Sequence, residues 1–157
     1  MAEEFPRSRI SRSLARALPP PLSSLTLALD LATSTFDRSI PLLDRWNLVS
    51  TAVRVAARVA STPLLPLQVK DALRASPREL EPTGICERFK KDFTYDVCGD
   101  GFVRGLVKLV DAVEDGEVPV TDRLVEDVAQ AVIVFLAPVL DVAARAIQRF
   151  AEIPGEQ

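Results

Sequence analysis

Apolar residues recur along this chain at intervals of three and four positions, the spacing that brings side chains to one face of an α-helix. This spacing predicts one helix in residues 22–39 and a second in residues 42–61. The apolar stripe of the first consists of Leu25, Leu29, Ala32 or Thr33, and Phe36. The stripe of the second consists of Trp46, Val49, Val53, Ala57 and Ala60. No segment predicts a β-strand as clearly.

The helical spacing continues through the middle of the chain. It predicts a short amphipathic helix in residues 67–76, which Pro77 ends. The next helix, in residues 85–97, has an apolar side chain at every fourth position: Ile85, Phe89, Phe93 and Val97. The helix that begins at Phe102 is apolar on most sides, so we expect it to be buried all round.

A long last helix is predicted from Asp122 to about Phe150, with Thr121 as its N-cap and with a kink or a break at Pro138. The chain of 157 residues is long enough to bury the core of one domain. We therefore expect an all-α fold of about seven helices around a central apolar hairpin. The expected organisation is a polar arm in 1–21, a helical domain in 22–153 and a tail in 154–157.

Composition and charge exclude several classes of function. A formal net charge of −3 and a pI near 5.1 argue against a nucleic-acid partner. The chain has no histidine, which excludes histidine-ligated metals and Ser-His-Asp triads. Its longest apolar run, residues 128–140, is shorter than the roughly 20 residues of a membrane span. The acidic residues Glu114, Asp115 and Glu117 fit a solvated loop, so we expect no catalysis and no cofactor.

Cys86 and Cys98 are the only cysteines. If both lie on one helix, a rise of about 1.5 Å per residue separates them by roughly 18 Å, which is too far for a disulfide. We therefore expect two reduced, half-buried thiols, as in a cytosolic protein. A redox pair is the alternative.

The stretch CGDGFVRGLVKLVDAVEDGE, residues 98–117, resembles three kinds of site at first sight. A phosphate-binding loop needs Lys followed by Ser or Thr after its second glycine, but Leu106 follows Gly105. A calcium loop needs oxygen ligands at alternating positions, where this chain has valine and phenylalanine. A glycine that lets another backbone approach is the remaining interpretation. The approaching backbone then belongs either to the fold itself or to a visiting helix.

Residues 80–116 resemble the fourth and fifth helices of the Bcl-2 family of apoptosis regulators. The matching positions, in the order and spacing of that family, are Leu80, Pro82, Arg88, Phe89, Asp100, Gly101 and Gly105. The chain departs from the family where Arg104 takes the place of the motif tryptophan and Leu106 that of the motif arginine. One extra residue lies before Asp100, and the family's late Gly-Trp pair is missing. The divergence suggests a viral homologue.

The resemblance implies a hydrophobic groove that binds the homology-3 (BH3) helices of pro-apoptotic proteins and so inhibits apoptosis. The groove residues that it implies are Val53, Ala57, Phe89, Phe93, Val97, Val103, Arg104, Gly105, Leu106 and Val107. The chain's own homology-3 segment has two candidates, residues 42–61 and residues 66–76, and spacing favours the first. Arg104 is expected to pair with an aspartate of the visiting helix.

The partners expected from this resemblance are BH3-containing proteins, with a homodimer as a further state. The expected location is the cytoplasm, with recruitment to mitochondria through those partners. The alternative function is an all-α structural protein that buries the same apolar face against a second copy of itself. A separate alternative to the groove is that Phe89, Phe93 and Val97 simply belong to the core of the fold.

Overall fold

The computed structural model describes residues 22–63, 65–74, 84–93 and 102–151. Within these ranges the protein is all-α, as predicted, with six helices and no strand. The helices are α1 (Ser23–Ser34), α2 (Leu42–Ala60), α3 (Leu67–Arg74), α4 (Ile85–Phe93), α5 (Phe102–Glu114) and α6 (Asp122–Ala151). The predicted arm in 1–21 and tail in 154–157 lie outside the described residues.

Helix α1 ends five residues earlier than predicted, because hydroxyl groups bind the backbone carbonyls of its last turn. The Thr35 hydroxyl donates to the Ala32 carbonyl at 2.6 Å, and the Ser34 hydroxyl donates to the Asp30 carbonyl at 3.0 Å. The prediction that Phe36 continues the apolar stripe is wrong, since its side chain is exposed. Leu25, Leu29 and Ala32 are buried as predicted.

Helix α2 matches its predicted limits to within one residue. Trp46, Val49 and Val53 are buried, as the stripe predicted. Toward the end of the helix the buried side is rotated: Ala56 is buried, whereas Ala57 and Ala60 are only partly buried. The rotation follows from α2 packing against α1, α5 and α6, so that its buried face is wider than one stripe.

The prediction that the helix beginning at Phe102 is buried all round is wrong. One side of α5 is buried and the other is polar, and its exposed residues are Arg104, Lys108, Asp111 and Glu114. The predicted central hairpin of α5 and α6 is also not a closely packed pair, because α5 lies chiefly against α2. The two helices do meet where the rings of Phe102 and Phe135 lie 5.1 Å apart.

Helix α6 is the core of the fold, and α1, α2 and α3 pack around it. Its fully buried residues include Leu124, Val125, Val128, Ala129, Leu136 and Ala143. The helix continues through Pro138, so the predicted break does not occur. By length and composition, Asp122–Ala146 would suffice to cross a membrane, but 67% of its most apolar window is buried against the rest of the protein. A core helix of a globular protein has the same properties.

Local hydrogen bonds fix the turn between α5 and α6. Gly116 has a φ of 84°, and the N–H groups of Gly116 and Glu117 donate to the carbonyls of Val113 and Ala112. This is a Schellman ending, in which a left-handed residue closes the last turn of a helix. At the start of α6 the Thr121 hydroxyl accepts the Leu124 N–H at 3.0 Å, which confirms the predicted N-cap.

Candidate helix-binding surface

The residues predicted to line a groove fall into three groups. Val53, Phe89, Gly105 and Leu106 are buried in the core. Ala57, Val103 and Val107 are partly buried, and Arg104 is exposed. Phe93 ends α4, but its side chain and Val97 lie outside what the structure describes. The surface open to a partner in the described residues is therefore carried by the partly buried and exposed residues of this set.

Ion pairs show how α2 lies beside α5 and α6. A nitrogen of the Arg54 guanidinium donates to Asp111 at 2.9 Å and to Glu114 at 2.7 Å, so the end of α5 lies at the middle of α2. Arg45, near the start of α2, binds Asp122 at the start of α6. The chain from α5 into α6 thus runs opposite to α2. This direction places the first half of α5 alongside the second half of α2.

The outer face of α5 changes character along its length. Val103 and Val107 lie one turn apart and are both partly exposed. Arg104 follows directly on the exposed side, whereas the last turns of the helix carry acidic side chains. The first half of α5 thus offers apolar contact beside a cation, and the Arg54 ion pairs occupy its second half. This half of α5 is complementary to an amphipathic helix of a partner protein: the partner's apolar side chains would contact the valines, and a carboxylate beside them would pair with the arginine.

Among the described contacts of helix α4 with α6 are a buried aromatic side chain and a polar contact. Phe89 is fully buried. The Arg88 guanidinium lies 3.5 Å from the Asp127 carboxylate and donates to the side-chain oxygen of Gln130 at 3.2 Å. Because Phe89 belongs to the core here, a partner reaches it only if α4 moves.

The prediction that Cys86 is a reduced thiol is wrong, because Cys86 forms a disulfide. The only other cysteine in the sequence is Cys98, which lies outside the described residues. The distance argument assumed one helix spanning both cysteines. The described part of that segment is α4 up to Phe93, and a bonded Cys86 contradicts the conclusion of the distance argument.

A buried arginine joins the first and last thirds of the chain, and sequence reasoning missed it. The side chain of Arg45 is 5% exposed and binds Asp122, while its Nε donates to the Ile40 carbonyl at 3.1 Å. Glu126 lies 3.9 Å from the same guanidinium and accepts two hydrogen bonds, at 2.9 and 3.0 Å, from Arg38. The hydrogen bond from Arg45 lowers the pKa of the Asp122 carboxyl. Glu126 raises the pKa of Arg38.

Stability is expected to fall in acid through this cluster. The pKa of Asp122 is lower in the folded protein than its ordinary value of 3.8, so its contribution is present above that value. It is lost as the pH falls through the folded pKa. We expect the Tm of the parent to drop below about pH 4 more steeply than that of Asp122→Asn. A Tm difference between the two proteins that stays constant down to about pH 2.5 would contradict the assignment.

The chain was compared with protein-family models, with curated proteins and with solved structures, and none of the three comparisons found a match. In the part of the chain that the structure describes, no group of histidine, cysteine, aspartate or glutamate side chains is arranged to hold a metal ion. The candidate site therefore consists of the surface of α5 and the helices packed around it.

Proposed function

We propose that this protein is a Bcl-2-like helical bundle that binds the homology-3 helices of pro-apoptotic proteins and so inhibits apoptosis. The observation that carries the proposal is the first half of α5, where Val103 and Val107 are partly exposed one turn apart and Arg104 is exposed beside them. This half belongs to the segment whose sequence resembles the family's groove helix. The site is a contact surface for another protein and performs no chemistry.

The surrounding helices support this assignment. The direction of the α5–α6 chain places Val107 at the level of the second half of α2, where Ala57 is small and partly exposed. A small side chain leaves room for a backbone to approach, as helix-in-groove binding requires. Helix α4 packs against α6, and α3 lies between α2 and α4 in the chain.

Peptide titration tests the proposal directly. At least one homology-3 peptide is expected to bind with sub-micromolar affinity, about −8 kcal/mol or better, and with a negative heat-capacity change from apolar burial. Arg104→Ala is expected to weaken that binding about tenfold. A charge-assisted hydrogen bond contributes roughly 1.5–3 kcal/mol, and the low end applies because this arginine is exposed to water. The measurement is calorimetric titration with peptides that carry aspartate or alanine at the pairing position.

The matched control is Arg145→Ala, which removes an exposed arginine from α6 and should leave the affinity unchanged. A coupling energy of zero between Arg104 and the peptide aspartate would show that Arg104 does not pair with the bound peptide. A folded monomer that binds no peptide at tens of micromolar would overturn the proposed function. A stable dimer by light scattering, with no peptide binding, would instead support the homo-oligomer alternative.

A further inference from the structure

The exposed charged side chains of α5 form one stripe whose charge changes sign along the helix. Arg104 and Lys108 lie on its first half, and Asp111 and Glu114 lie on its second half. Their spacing of three or four residues keeps them on one face. At a rise of about 1.5 Å per residue, the stripe is roughly 15 Å long. Helix α5 therefore presents a positive end and a negative end on the same face.

This order of charges opposes the dipole of α5. The start of a helix favours acidic side chains and the end of a helix favours basic ones. Helix α5 has no acidic residue in its first turn and no basic residue in its last turn, and Arg104 lies in the first turn. At the end of the helix, Arg54 of α2 offsets the acidic charges by donating to Asp111 and Glu114. Arg104 is exposed to water and weakens the helix that carries it.

A second arginine extends the positive end of the stripe onto α2. Arg58 is exposed and lies one turn beyond Arg54 on the same face of α2. Because α5 runs opposite to α2, one turn beyond the Arg54 ion pairs on α2 corresponds to one turn before them on α5. Arg58 is therefore level with Lys108. Two helices share the positive end, which borders the partly exposed Val103 and Val107.

We propose that this stripe selects the order of charges on the helix that binds beside it. The proposal rests on the proposed function for its occupant, a helix of a partner protein. The partner is amphipathic, and its apolar side chains contact the valines of α5. Its flanking charges are acidic over Arg104 and Arg58 and basic over Asp111 and Glu114. A helix with the opposite order meets like charges at both ends and binds more weakly.

The change of sign favours a helical partner over a membrane surface. The exposed residues Asp115 and Glu117 extend the negative end into the turn that follows α5. An anionic bilayer presents one sign of charge along the whole stripe, so repulsion at the negative end opposes its attraction to the positive end. A helix can carry both signs of charge at the spacing that the stripe requires.

Matched pairs of peptides test the proposal on the full chain. One pair is a homology-3 peptide and a version in which the acidic and basic flanks are exchanged. The second pair carries the same flanks on a designed amphipathic helix without the homology-3 motif. In calorimetric titration, one member of each pair is expected to bind about tenfold tighter than the other at about 50 mM salt. The difference should shrink at about 0.5 M salt, because salt screens exposed charges.

Charge reversal on the protein identifies the residues responsible. Arg58→Glu combined with Arg104→Glu should abolish or invert the preference between the two orders. Arg145→Glu changes an exposed arginine of α6 and should leave the preference unchanged. Arg104→Glu alone places an acid in the first turn of α5, so its Tm is expected to equal or exceed that of the parent. A lower Tm would show that Arg104 serves the fold, which would overturn the proposal.

The remaining outcomes separate this proposal from the proposed function. If homology-3 peptides bind equally well in both charge orders, the charge selection fails and the proposed function stands. If only the designed pair binds, with the expected preference, the proposed function fails and the charge selection stands. If neither pair binds, both are overturned. Binding to phosphatidylserine vesicles that Arg104→Glu abolishes would assign the stripe to a membrane surface and would also overturn the charge selection.

Discussion

Replacing Phe102 with alanine is expected to lower the free energy of unfolding by about 3–5 kcal/mol, the range for a fully buried phenylalanine. Phe102 is 1% exposed and begins α5. Its ring lies 5.1 Å from that of Phe135, with 42° between the planes. Because α5 and α6 approach each other at few other points, the truncation removes the main contact between them. Urea denaturation followed by circular dichroism measures the loss.

The neighbouring residue provides the control for Phe102. Val103 is partly exposed on the same turn, and Val103→Ala is expected to cost less than about 1.5 kcal/mol. A double-mutant cycle with Phe135→Ala should give a coupling energy of about 0.5–1.5 kcal/mol for the ring pair. Equal losses for Phe102→Ala and Val103→Ala would contradict the structure of this end of α5.

The second large effect is expected at Arg45. Arg45→Ala should destabilise the protein by about 3 kcal/mol, the lower end of the range for removing one partner of a buried ion pair. The low end applies because the acidic partners are partly exposed, and water can solvate them after the substitution. The substitution also removes the packed stem of the side chain and leaves the Ile40 carbonyl without its 3.1 Å hydrogen bond.

Arg38 is a matched control, because it binds the same Glu126 from the surface. Its side chain is 63% exposed, against 5% for Arg45. Arg38→Ala is therefore expected to destabilise the protein much less than Arg45→Ala, because exposed ion pairs contribute little. Thermal and urea unfolding of both variants decides the comparison. If the two substitutions cost the same, burial of Arg45 does not set its contribution.

The helices could be predicted from the sequence because a period of 3.6 residues is a local property of the chain. The helical period predicted α2 and α6 nearly completely. The Thr121 cap could also be predicted, because a cap depends on three or four neighbouring residues. The helical period missed the end of α1, where Thr35 ends the helix with a hydroxyl bond that competes with helical continuation. It also missed the polar side of α5, although Arg104, Lys108 and Asp111 follow a helical spacing that indicates it.

The candidate site was harder to predict than the fold, because it depends on contacts between distant segments. Whether Phe89 faces solvent or the core is decided by α6, which begins more than 30 residues later. Nothing in the sequence around Arg45 distinguishes it from an exposed arginine, because its partner Asp122 is 77 positions away. The prediction of a reduced Cys86 assumed one helix spanning both cysteines, and the bonded Cys86 contradicts that prediction. In each case the missing information is the identity of the tertiary neighbour.

The central position of α6 has a consequence for biosynthesis. The ribosome makes the helices that surround it first, so the apolar faces of α1, α2 and α3 emerge without their cover. Translation of the 30 residues of α6 takes roughly 1.5–6 s at ordinary elongation rates. During that interval the nascent chain exposes the surface that α6 later buries, which is the situation in which chaperones bind. A ribosome stalled before residue 122 would therefore hold a chaperone substrate, whereas a chain that has left the ribosome with α6 complete would fold.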